Sequence, residues 1–120
     1  MAHILLLEDT KDMRTAIRDS LELSGHDVIT GKDGRDGFAY LESEDPLPDL
    51  IITDLKMPEI GGLAFMQQMR QHADWAKISI IATSGVPGDE TAALSAGADV
   101  FIVKPFKHSE LETLIQLLLQ

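Results

Sequence analysis

Apolar positions along this 120-residue chain follow two periods that alternate from one end to the other. Unbroken apolar runs at 3–8 (HILLLE), 49–54 (DLIITD), 78–85 (ISIIATSG) and 100–104 (VFIVK) predict strands buried on both faces. A shorter run at 26–31 (HDVITG) predicts a fifth strand. Between them the spacing turns helical. KDMRTAIRDSLELSG (11–25) places Met13, Ala16, Ile17 and Leu21 on one side and reaches Gly25, a helix stop. GRDGFAYLESED (34–45) turns Phe38 and Leu41 inward and ends before Pro46. GGLAFMQQMRQHA (61–73) sets Leu63, Met66 and Met69 on one side. DETAALSAG (89–97) is a short, alanine-rich helix stopped by Gly97, and Pro87 and Gly88 before it predict a late start. HSELETLIQLLLQ (108–120) carries a stripe of Leu111, Leu114, Ile115 and Leu118, with Ser109 and Glu112 spaced as a capping box. Leu117 and Leu119 widen that stripe, either as core or as a partner face.

Five strand–helix pairs with short connections predict one domain over residues 1–120. It is an α/β fold with a parallel sheet covered on both faces. Right-handed crossovers leave few topologies, and the flavodoxin-like strand order 2-1-3-4-5 suits five strands. Composition adds exclusions. No cysteine is present, so disulfides, thiolate metal sites and cysteine nucleophiles are ruled out. Twenty acids against ten bases give a formal charge of −10, and no Lys/Arg cluster offsets it, which argues against direct nucleic-acid or anionic-lipid binding. The opening MAHILLLED has too short an apolar run, with acids directly behind it, for a signal peptide, and no run is long enough to span a membrane. The expected setting is cytoplasmic. The four histidines lack ligand spacing and read as surface residues, and Trp75 reads as half-exposed in a connection.

Polar residues gather at one end of the predicted strands. Strand one ends in Glu8-Asp9, strand three in Asp54, strand four in Thr83-Ser84-Gly85 and strand five in Lys104-Pro105. Taken singly each has an ordinary explanation: the acids as helix caps or Asx turns, Ser84 as a turn hydroxyl, Lys104 as an exposed strand end. Taken together they fall where open α/β sheets build sites, outside the carboxyl ends of the strands where the order reverses. Three crowded carboxylates need a cation, and an oxygen-only donor set suits a hard ion such as Mg²⁺. A carboxylate can also attack a phosphoryl group to give an aspartyl phosphate. The moving phosphoryl group then needs positioning and charge stabilisation, which a metal, a lysine and a hydroxyl supply.

As a set, ILLLED, DLIITDLKMPEIGG, IIATSG and GADVFIVKPF resemble the receiver domain of two-component response regulators, over the whole chain and most closely the single-domain type typified by the chemotaxis regulator. The resemblance implies that Asp54 is the phosphoacceptor and that Glu8, Asp9, Asp54 and the backbone carbonyl of Lys56 hold Mg²⁺. It implies that Ser84, thirty residues after Asp54, and Lys104 bind the phosphoryl group. Thr83 is the other hydroxyl on that strand, but strand alternation points it away. Phe101 matches an aromatic switch position that packing alone would also explain, and Pro105 follows a peptide bond that is cis in the family.

The expected function is a phosphorylation switch. A sensor histidine kinase or histidine phosphotransferase donates to Asp54, and a surface around the fourth helix and fifth strand responds. The domain is not an enzyme on other substrates; it catalyses its own phosphotransfer and a slow autodephosphorylation. Val86 and Lys56 flank the path of the attacking water and predict a long-lived phosphoform. With no effector domain after the last helix, output is expected through a downstream protein target or a phosphorelay, from a monomer or weak dimer. A receiver cut from a larger regulator would read the same way. A binding module of this fold that never uses phosphate is the alternative. An aspartyl-phosphate enzyme would want an acid where Lys56 stands.

Overall fold

The computed structural model describes residues 1–120. Five strands form one parallel sheet: β1 (His3–Leu7), β2 (Asp27–Gly31), β3 (Leu50–Asp54), β4 (Ser79–Ser84) and β5 (Val100–Val103). Their order is β2-β1-β3-β4-β5, as the alternation of elements predicts. Five helices connect and close it: α1 (Lys11–Leu23), α2 (Gly34–Leu41), α3 (Gly62–Arg70), α4 (Glu90–Ala96) and α5 (His108–Leu118).

The unbroken apolar runs resolve into two faces because successive strand side chains point opposite ways. Leu5, Leu7, Ile51, Ile80 and Ala82 face a layer that includes Leu41 of α2, Phe65, Met66 and Met69 of α3, and Ala93 and Ala96 of α4. Ile4, Leu6, Leu50, Ile52 and Ile81 face Ile17 and Leu21 of α1 and Leu111 and Ile115 of α5. With cores on both faces, the sheet has no solvated face on which a functional side chain could sit. That leaves its rims.

Several local expectations are corrected. Phe65, fully buried, is the main aromatic anchor of α3, and Leu63 only packs against the cluster from its edge. Trp75 is buried, not half-exposed; its ring stacks on His72 with centroids 3.7 Å apart and joins the same core. His26 is buried rather than on the surface: its Nδ1 accepts from the Ala2 N–H, and its Nε2–H donates to Glu112 at 2.7 Å. That pairing removes Glu112 from the expected capping box with Ser109. The start of α5 is closed two residues earlier, where Glu110 accepts from the Lys107 N–H at 3.1 Å. Leu117 is 60% exposed and Leu119 37%, so neither is core.

The late start of the fourth helix is seen. A single 3-10 turn, Pro87–Asp89, precedes the seven residues of α4. The helix stops at Gly97, whose φ of +123° is a conformation that side chains disfavour.

Candidate functional site

β1 and β3 lie side by side, with Leu7 opposite Thr53, so the residues that follow them emerge together at the carboxyl rim. Glu8 and Asp54 are buried there and Asp9 is exposed at the edge. One carboxylate oxygen from each of the three falls within 4.8 Å of the others. β5 is two strands away from β3, yet the long stem of Lys104 spans the gap. Its Nζ donates to Glu8 Oε1 and to Asp54 Oδ2, both at 3.0 Å. The peptide bond between Lys104 and Pro105 is cis.

The ordinary explanations do not account in full for Asp54 and Glu8. No helix begins at Asp54: α3 starts at Gly62, with Gly61 in the capping position. The Lys56 N–H lies 3.5 Å from Asp54 Oδ1, too long for an Asx turn to account for the residue. Glu8 accepts from the Thr10 N–H at 3.1 Å, but its other oxygen is turned to Lys104. Arg14, on the first turn of α1, donates to the Glu8 carbonyl at 2.9 Å and so ties the acidic corner to the helix. Sequence reasoning overlooked Arg14, since a basic residue one turn into a helix carries no signal of its own.

The paired glycines after Asp54 also find their reason. A Cβ on residue 62 would meet the Asp54 carbonyl oxygen at 2.2 Å. Only glycine allows α3 to pack this closely behind the strand end, where the Gly62 N–H donates to the Leu55 carbonyl at 2.9 Å.

Electrostatics at the rim are unbalanced. Burial pushes the Glu8 carboxyl up from its ordinary value; the Thr10 N–H and Lys104 pull it back in part, and the charge on Asp54 pushes it up again. Burial opposes the Lys104 ammonium, but its hydrogen bonds to Asp54 and Glu8 and their charges outweigh burial and raise its pKa. Two of the three carboxylates share one ammonium, and Asp9 adds a third negative charge beside them. The surplus negative charge and all-oxygen donor set fit a hard divalent cation.

The remaining predicted residues are placed as follows. Ser84 closes β4, buried beside β5, and its carbonyl accepts from the Lys104 N–H at 2.8 Å. Its hydroxyl donates to the Asp89 carboxylate at 2.6 Å. Thr83, also buried, stands opposite Asp54 in the β3–β4 register. Lys56 is exposed in the loop after Asp54. Phe101 is half-buried on β5 against the core layer of α2, α3 and α4.

Comparison with known proteins places this geometry. A family model described as "Response regulator receiver domain" matches residues 4–116. A probable transcriptional regulator, ycf27, of Porphyridium aerugineum is 35% identical over 117 residues, covering 98% of this chain and 48% of that protein. The chain therefore spans about half the length of the curated relatives it matches. Among solved structures, the signal receiver domain of a histidine kinase from Syntrophus aciditrophicus superposes with a TM-score of 0.91 at 31% identity, covering 99% of this chain and 90% of that one. The receiver domain of a sensor histidine kinase from Pseudomonas aeruginosa PAO1 has a TM-score of 0.89 at 28% identity, covering 98% and 97%; that structure holds a magnesium ion coordinated in its active-site cleft. On sequence and fold together, this chain belongs to the response regulator receiver domain family.

Proposed function

We propose that the chain is a phosphoryl-accepting switch in which Asp54 takes a phosphoryl group from a phosphohistidine on a sensor histidine kinase or histidine phosphotransferase. The observation that carries this reading is the Lys104 ammonium held 3.0 Å from both Asp54 and Glu8, with Asp9 beside them. An Asp54 carboxylate oxygen attacks phosphorus, the O–P bond forms and the donor P–N bond breaks. The electron pair returns to the imidazole nitrogen, which takes up a proton. Little covalent help is needed from the protein, so positioning and charge do most of the work.

Glu8, Asp9, Asp54 and the Lys56 carbonyl would hold a Mg²⁺ ion, which when bound neutralises charge on the phosphoryl oxygens. Lys104 stays within reach of Asp54 and offers its ammonium to a phosphoryl oxygen. Ser84 offers its hydroxyl, and Phe101, half-buried on the neighbouring strand, follows the rearrangement. The switch is not an enzyme acting on other substrates: its own phosphotransfer and a slow self-hydrolysis are its only reactions. It works in the cytoplasm as a monomer or weak dimer, and it reports through a downstream protein or a relay. No helix of the fold is long and apolar enough to cross a membrane.

Incubation with acetyl phosphate and Mg²⁺, followed by intact-mass measurement, tests the reading. The mass should rise by one phosphoryl group, and Asp54→Asn should abolish the gain. A wild-type protein that takes up nothing would instead be a binding module that does not use phosphate. Val86, 44% exposed, and the exposed Lys56 flank the site, so the phosphoform should decay over minutes or longer. Decay within seconds would contradict that part of the reading.

A further inference from the structure

Asp89 stands where an N-cap belongs, at the residue before α4, and aspartate is among the best capping residues. It does not cap. Its side chain makes no bond to the first turn of α4, and its backbone is helical (φ −76°, ψ −8°) because it also closes the 3-10 turn Pro87–Asp89. Its carboxylate instead accepts from the Ser84 hydroxyl at 2.6 Å, a length typical of a charge-assisted hydrogen bond. Ser84 is almost fully buried, and its oxygen also accepts from the Val86 N–H at 3.0 Å. A hydroxyl has one proton to give, and in this state Asp89 holds it. The Ser84 backbone is fixed at the rim by the Lys104 N–H. Only its side chain can change partner.

We propose that Asp89 is a latch on the phosphoryl-binding hydroxyl: a positioning residue that keeps Ser84 turned toward α4 until a phosphoryl group on Asp54 takes the proton in its place. The inference rests on the function proposed above. The exchange is one for one, because the same O–H cannot serve the carboxylate and the phosphoryl oxygen together. It favours the unphosphorylated state by the strength of the Ser84–Asp89 bond. It also gives the switch a direct line to α4: once released, Asp89 is free to leave the 3-10 turn, and the connection between β4 and α4 loses the bond that braces it.

Initial rates of phosphoryl uptake from acetyl phosphate with Mg²⁺, read by intact mass, test this in a double-mutant cycle. Asp89→Ala should speed uptake about three- to tenfold, the scale of one charge-assisted hydrogen bond at a partly solvated site. Asp89→Asn keeps an acceptor without the charge and should fall between the two. In a Ser84→Ala background, Asp89→Ala should change nothing further. An equal acceleration in both backgrounds would mean that Asp89 acts only through its charge, and no acceleration in either would also overturn the latch. A second readout needs no phosphate. In the unphosphorylated protein Ser84→Ala and Asp89→Ala break the same bond to the start of α4, so they should shift the α4 amides in the same direction in NMR spectra; the Val86 amide is left out because Ser84→Ala also removes its acceptor. Divergent shifts would overturn the latch. A wild-type protein that gains no mass would defeat the phosphoryl reading, while the NMR comparison would still decide whether Ser84 and Asp89 are coupled.

Discussion

The two rims of the sheet both collect charged side chains, and they treat them in opposite ways. At the amino rim Asp49, Asp99 and His26 are each spent on a partner. Asp49 accepts from the His3 N–H at 2.9 Å, and Asp99 accepts from the Ile80 N–H at 2.8 Å while pairing with Arg70 at 3.1 Å. His26 joins the Ala2 N–H to Glu112. The pattern has a simple cause: parallel strands begin with backbone N–H groups that lack a ladder partner, and acceptors satisfy them. At the carboxyl rim the free backbone groups are carbonyls, which call for donors, yet the chain places Glu8, Asp9 and Asp54 there, and the Lys104 ammonium bonds only Glu8 and Asp54. Those three amino-rim groups are balanced by partners; this set is not. The difference separates a rim whose charges are spent on the fold from one that carries a surplus of negative charge.

Substitutions can test that contrast, and the largest effect is expected at the amino rim. The Arg70 guanidinium donates to the carbonyls of Ala76, Ile78 and Gly97 as well as to Asp99. Arg70→Ala should cost about 3 kcal/mol of stability in a denaturant titration, with Mg²⁺ affinity unchanged. A loss of Mg²⁺ affinity would blur the division between the rims.

A smaller loss is expected from Lys104→Ala, which leaves Glu8 and Asp54 without their shared ammonium. Roughly 2 kcal/mol should be lost without divalent ions, tempered by solvent at the rim, and Mg²⁺ should raise the melting temperature of this variant more than that of the wild type. An equal Mg²⁺ response in both would mean that lysine and metal do not compete for the same charge.

The smallest effect has the opposite sign. Glu8→Gln should stabilise the metal-free protein by roughly 1 kcal/mol near neutral pH, because it removes a buried charge from a crowded site. The pH dependence follows from the raised Glu8 carboxyl. As pH rises out of the ordinary carboxylate range, the unfolded chain releases this proton before the folded one does, so the wild type loses stability across that window. The advantage of Glu8→Gln should therefore vanish below the window and be complete above it. A variant less stable than wild type at neutral pH would show that Glu8 belongs with the balanced groups after all.

Legibility from sequence tracked the range of the physics involved. The strands and helices were readable because hydrophobic periodicity is local, and Ile4 to Leu7 or Leu50 to Ile52 need no partner to announce themselves. Ser109 and Glu112 misled because a capping signature is a local pattern that a distant partner can override, and His26 was that partner. Phe65 was missed in favour of Leu63 since neighbouring helical positions differ by small rotations that only the facing layer decides. Trp75 was misplaced because a connection gives no period to read.

By itself the sequence determined that four of the five strands end in polar groups, and the order of a doubly wound sheet then assigned those ends to one rim. Burial cannot choose which of them touch. Only the tertiary structure decided that Lys104 bridges Glu8 and Asp54 and that Glu8 is buried rather than a solvated cap. It alone turned the Ser84 hydroxyl to Asp89. Hydrophobic pattern is a sum over many residues and survives local error, whereas a hydrogen bond depends on a few tenths of an ångström between groups far apart in the chain, which the packed core sets.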